Sequence, residues 1–156
     1  MREKSRNSVI LAVPKPKKTP KPPKKRPKKP TLGQLKRTLD RLAREIVRAR
    51  DKMACRICGG TDHLSAHHYF TRRSHAAVRW DTDNMLLICS PCHFRIHNRG
   101  DEEVVRDALL RTIGPERFEA MKARAWDRLD IRVPVLNGLI EGLEGQKKGE
   151  PKLPDS

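Results

Sequence analysis

Residues 55–97 read CRICGGTDHLSAHHYFTRRSHAAVRWDTDNMLLICSPCHFRIH, and this stretch decides the fold. It opens with Cys55-Arg-Ile-Cys58 followed by Gly59-Gly60, which reads as a knuckle: the glycines let the chain turn tightly so that backbone donors face the thiolates. Cys89-Ser-Pro-Cys92 supplies a second knuckle. Two CxxC pairs form a tetrahedral set of four thiolates, a closed structural zinc site rather than a catalytic one. The spacing between the pairs is longer than in a generic zinc motif, so an inserted hairpin is expected. That insert carries His67 and His68 side by side in HLSAHHYF, a segment that suits a strand. Asp83-Asn84 precedes a short apolar strand, MLLIC. With a helix starting near Pro91, His93 and His97 fall one turn apart on one face, a spacing that suits two imidazoles on one metal ion.

Outward from this centre, residues 31–53 read as an amphipathic helix. Thr31 and Gln34 form a capping box. Leu32, Leu35, Leu39, Leu42 and Ile46 make one apolar stripe, and Lys36, Arg37, Arg41, Arg44 and Arg48 make a basic outer face. Residues 54–99 are the zinc-stapled core. Residues 100–145 are expected to be helical: Gly100 and Asp101 start one helix, Gly114 ends it, Pro115 opens the next, and Leu136, Leu139, Ile140 and Leu143 suggest a short last one. Residues 146–156 are read as a frayed tail. The fold class is therefore α+β, a small zinc-stapled core flanked by helices.

Residues 1–30 hold about a third of the Lys and Arg and more than half of the prolines, with Glu3 as the only acid. Proline removes backbone donors and the lysines repel one another, so this segment is expected to be a disordered basic arm. The chain carries Lys+Arg 35 against Asp+Glu 19, a formal net charge of +16. Such a charge points to a polyanion, nucleic acid first. A membrane partner is not expected. The apolar patch SVILAV is shorter than a signal-peptide core and runs directly into Pro and Lys, and no segment reads as membrane-spanning. A cytoplasmic protein is the expectation, and cysteines confined to CxxC pairs agree with metal binding in a reducing compartment.

The order His67-His68, Asn84, His93 and His97 resembles the HNH or ββα-metal nucleases, and the bracketing CxxC pairs resemble their zinc-stapled subgroup. The HH, DN and HxxxH elements are also similar to the nuclease domains of DNase colicins, which lack the cysteines. Over roughly residues 31–125, Ala66-His67-His68-Tyr69, Arg73, Arg79-Trp80-Asp81, Asn84 and Cys89-Ser-Pro-Cys92 resemble the phage NinG (Rap) recombination proteins, structure-specific nucleases of branched DNA. That family usually has Gly before the hairpin His and Asn after the last Cys. Here those positions are His67 and His93, which moves the site toward a fuller HNH metal set.

The resemblance implies these roles. His68 is the general base and Asn84 fixes its loop. His67, His93 and His97 hold one divalent ion, Mg, Mn, Zn or Ni. The exchange of His67 and His68 between base and ligand stays open, because adjacent strand side chains diverge and the twist is not readable. Arg72, Arg73, Arg79 and Lys52 are candidate phosphate contacts. Trp80 reads as a core anchor, and His63 and His75 carry no assigned role. The partner implied is branched or structured DNA in a bacterial host cytoplasm. A homodimer would suit a symmetrical junction cutter, though no residue pattern demands one. Two other functions fit less of the pattern. A non-catalytic zinc module for DNA or RNA needs the cysteines but not the surplus histidines. A sequence-specific homing or restriction nuclease would need a recognition domain.

Overall fold

The computed structural model describes residues 29–149. The N-terminal arm to residue 28 and the end of the C-terminal tail lie outside them. Thr31 caps α1 (Leu32–Arg50): Gln34 N–H donates to its side chain while the Gln34 side chain accepts from Thr31 N–H at 2.7 Å. β1 (Leu64–His68) and β2 (Met85–Cys89) follow, then α2 (Ser90–Arg99), α3 (Glu102–Ile113), α4 (Pro115–Arg124) and α5 (Val133–Gly149). The result is a mostly helical α+β fold around one antiparallel hairpin, with His67 opposite Leu86 and Leu64 opposite Cys89.

β2 is buried along its whole length, and its alternation divides the core. Leu86 and Ile88 join Val105, Leu109, Phe118 and Met121 from α3 and α4. Met85 and Leu87 join Leu39, Leu42 and Val47 of α1 and Leu136 and Leu143 of α5. Strand side chains alternate between faces, so five apolar residues in a row serve two helical layers.

A two-stranded sheet leaves β2 with an unpaired edge, and the end of α1 closes it. Asp51 is fully buried, and its carboxylate accepts from Leu87 N–H at 2.7 Å. Arg50 pairs with the same carboxylate at 2.7 Å and donates to the carbonyls of Thr82 and Met85. Asp51→Ala removes the counter-charge of a largely buried guanidinium and leaves a buried N–H without its acceptor. Loss of one partner of a buried pair costs about 3–5 kcal/mol, and urea denaturation should show a midpoint lowered to match. An unchanged midpoint would mean that this corner carries no stability.

Two boundaries differ from the sequence expectation. Gly100, with φ of 69°, closes α2 in the left-handed region rather than opening the next helix, and α3 begins at Glu102. The last helix is longer than expected and runs through residues 146–149. It lies along α1, anchored by buried Leu143 and by Lys147 on Glu45 at 2.7 Å, so tertiary packing extends a segment whose own composition looked frayed. Among the described residues no helix is long and apolar enough to cross a membrane.

Candidate metal centres and basic cleft

The first knuckle is a tight turn held by two backbone bonds. Gly59 N–H donates to Cys55 C=O and Cys55 N–H to Gly60 C=O, each at 2.8 Å. Gly59 has φ of 78°, a conformation that side chains resist. Cys89 ends β2 and caps α2, and Cys92 lies in the first helical turn, so the second knuckle sits at the positive end of a helix. The four sulfurs lie within 4.8 Å of one another. Burial pushes the Cys55 thiol up, but backbone donors of Cys58, Cys89 and Ile57 outweigh it and bring it down to about 7. Burial and its sulfur neighbours push Cys92 up instead. Thiolates this close repel, and a dication with tetrahedral preference removes that conflict. The cluster is consistent with a structural zinc.

A second group of donors lies on the same hairpin and helix. His67 projects from β1, and His93 and His97 from successive turns of α2. One nitrogen of each falls within 4.8 Å of the others, and the Nε2 atoms of His93 and His97 are 3.2 Å apart. Burial, then the neighbouring His93 and His97, lowers the pKa of His67 to about 4. Burial and His97 also lower that of His93. Neutral imidazoles with free lone pairs are the form that binds a metal. The donor set suits a divalent transition metal.

His68 stands apart from these three. Its Nε2 meets the carbonyl of Arg79 at 3.0 Å instead of joining the cluster. A carbonyl only accepts, so Nε2 carries the proton and Nδ1 of the neutral ring keeps its lone pair. Burial lowers the His68 pKa, opposed by the Arg79 carbonyl and helped by the Arg72 cation. The segment supplying that carbonyl is itself clamped. Arg79 makes paired contacts of 3.2 and 3.0 Å to Asp40 of α1, and Trp80 donates to the same carboxylate at 2.6 Å.

Asn84 is fully buried and ties the long connection 69–84 to itself. It accepts from Phe70 N–H at 2.7 Å and donates to the carbonyls of Phe70 and Val78, each at 3.0 Å. None of these hydrogen bonds reaches an imidazole of the cluster.

His67, His68, His93 and His97 all line one cleft of about 500 Å³, together with Arg44, Arg48 and Arg72. The basic residues divide here. Arg72 is in the cleft, as its place after the hairpin suggested. Arg79 is not a free cation, because Asp40 holds it. Arg73 and Lys52 are exposed but do not line the cleft. Arg44 and Arg48 were legible only as a basic helix face; their spacing of four residues is the signal that puts them side by side. His63 is an exposed turn residue with φ of 48°, and Trp80 is buried.

The molecule is thus defined as a small hairpin-and-helix protein in which one hairpin and one helix serve both a four-thiol and a three-imidazole cluster. The family model described as Bacteriophage Lambda NinG protein matches residues 12–149, and the chain belongs to that NinG family. No curated protein and no solved structure matches it.

Proposed function

We propose that this NinG-family protein is a metal-dependent endonuclease of the HNH (ββα-metal) type that hydrolyses DNA phosphodiester bonds, with branched or recombination intermediates as substrates. The observation that carries this reading is the fourth imidazole. A binding module has no use for His68 held in one tautomer beside three other histidines in an arginine-lined cleft.

A divalent cation on His67, His93 and His97 would stabilise negative charge on the scissile phosphate and on the leaving 3′ oxygen. The protein's own residues do the rest. Arg44, Arg48 and Arg72 hold the phosphates of the strand across the cleft. His68 accepts a proton from the attacking water at Nδ1, and its Nε2–H remains on the Arg79 carbonyl throughout. Asn84 acts through the backbone of the loop, bonding Phe70 and Val78, the residue just before Arg79.

The test is cleavage of linear, flap and four-way DNA with Mg, Mn or chelator. Cutting is expected only with a divalent cation and fastest on branched substrates. Failure to cut any of them with every divalent ion tried would remove the enzyme reading and leave a zinc protein that binds nucleic acid.

A further inference from the structure

The chain is poor in aromatics, with Trp 2, Tyr 1 and Phe 3. Four of these six, Tyr69, Phe70, Phe118 and Trp126, nevertheless line one groove of about 350 Å³, with Arg106 and Lys122 at its sides. Tyr69 touches Phe70 and Phe118 with ring centroids 4.9 and 5.6 Å apart. Trp126 is 77% exposed, although burying its ring would be the ordinary outcome in so small a fold. Its ring meets His75 at 74°. His75 lies between Phe70 and Trp126, and neither of its buried ring nitrogens has a hydrogen-bond partner among the described residues.

Two further observations give the groove a direction and a charge. Tyr69 and Phe70 also wall a pocket of about 370 Å³ that contains His67, His68 and His97, so the aromatic groove continues from the histidine site past the end of β1. Arg106 pairs with Asp107 at 3.6 Å, and Lys122 pairs at 3.3 Å with Glu119, which also lines the groove; all four side chains are at least half exposed. Exposed pairs of this kind are weak and exchange readily for a phosphate.

We propose that this groove is a stacking site for the bases of an unpaired DNA strand, with Trp126 as its platform and Arg106 and Lys122 on the strand's phosphates. Bases in a duplex hide their faces in the helical stack, whereas those of a single strand expose them to any aromatic ring. The path of the strand away from the histidines rests on the nuclease reading; the binding of unpaired bases does not.

The experiment titrates the full chain with a short oligothymidylate, in chelator of moderate strength that leaves the thiol-bound zinc in place, and follows tryptophan fluorescence. Trp80 is buried, so the quenchable emission belongs to Trp126. Wild type should be quenched. Trp126→Ala should lose the quench and bind the oligonucleotide roughly 5- to 150-fold more weakly, the span expected for one lost stacked base, while its affinity for a blunt duplex of equal length stays the same. Trp126→Phe should recover much of the single-strand affinity. Equal weakening for duplex and single strand, or no weakening in Trp126→Ala, would overturn the proposal. So would a wild-type dimer that Trp126→Ala converts to monomer, since the surface would then belong to a second copy. Cleavage assays report on the nuclease reading separately, because this titration needs no turnover.

Discussion

On the nuclease reading proposed above, His68→Ala should leave a folded, zinc-loaded, DNA-binding protein whose cleavage rate is down by about 10²- to 10⁴-fold, the usual contribution of a positioned general base. The selectivity of that loss follows from where the side chain sits. His68 is half-buried at the end of β1 and its one hydrogen bond is to the Arg79 carbonyl. Losing that bond costs on the order of 1 kcal/mol, too little to unfold the hairpin. The three-imidazole cluster contains no atom of His68 and should keep its ion. The arginines of the cleft also remain, so affinity for uncleaved DNA should hold. Single-turnover cleavage, metal content and binding are therefore measured on one preparation. If the variant cuts a branched duplex as fast as wild type, His68 is not the base. If it loses its metal or its fold as well, His68 is structural and the selective role is wrong.

Stripping the thiol-bound metal with a strong chelator, or replacing its ligand in Cys92→Ser, should do more damage than any single side-chain loss in the core. Structural zinc supplies about 10–16 kcal/mol of apparent binding energy in small zinc domains at neutral pH. Here the cluster joins the turn after α1 to the junction of β2 and α2. Without it, residues 54–63 are left with hydrogen bonds such as Arg56 N–H to the Leu87 carbonyl and the Ser90 hydroxyl to the His63 carbonyl, and four sulfurs, three of them buried, compete for one corner. The expected result is a melting temperature lowered by tens of degrees or a lost cooperative transition, followed by thermal circular dichroism, with about one zinc per chain released. Since α2 also carries His93 and His97, the same treatment should abolish cleavage even when Mg or Mn is restored afterwards. A melt unchanged by removal of the zinc would mean that helix packing alone holds the hairpin.

The parts legible in the sequence were those with short-range signals. Two CxxC pairs, the capping box on α1 and the one-turn spacing of His93 and His97 depend on neighbours a few residues apart. Which of His67 and His68 joins the cluster with His93 and His97 was not legible. It depends on which face of β1 meets α2, and that is set by pairing with β2 and by the layers packed on both sides. Asp51 and Asp40 were missed for a similar reason. Each works on groups some forty residues or fewer away in sequence, Leu87 for one and Arg79 and Trp80 for the other, and an acid near a basic helix face looks like ordinary surface charge until its partner arrives. Arg79, read from the sequence as a candidate phosphate contact, is the other side of the same contact with Asp40. The aromatic groove gathers residues 69, 70, 118 and 126, which no local pattern connects.

Cys92 and His93 are consecutive on α2, yet one belongs to the sulfur corner and the other to the imidazole corner. Neighbours on an α-helix point about 100° apart, so a single turn is the axle on which two inorganic chemistries are mounted. Insertion or deletion of even one residue there would swing either thiol or ring out of reach, while most of the connection at 71–77 is free of that arithmetic. Length variation among natural versions of this protein should therefore avoid 89–97 altogether and accumulate elsewhere.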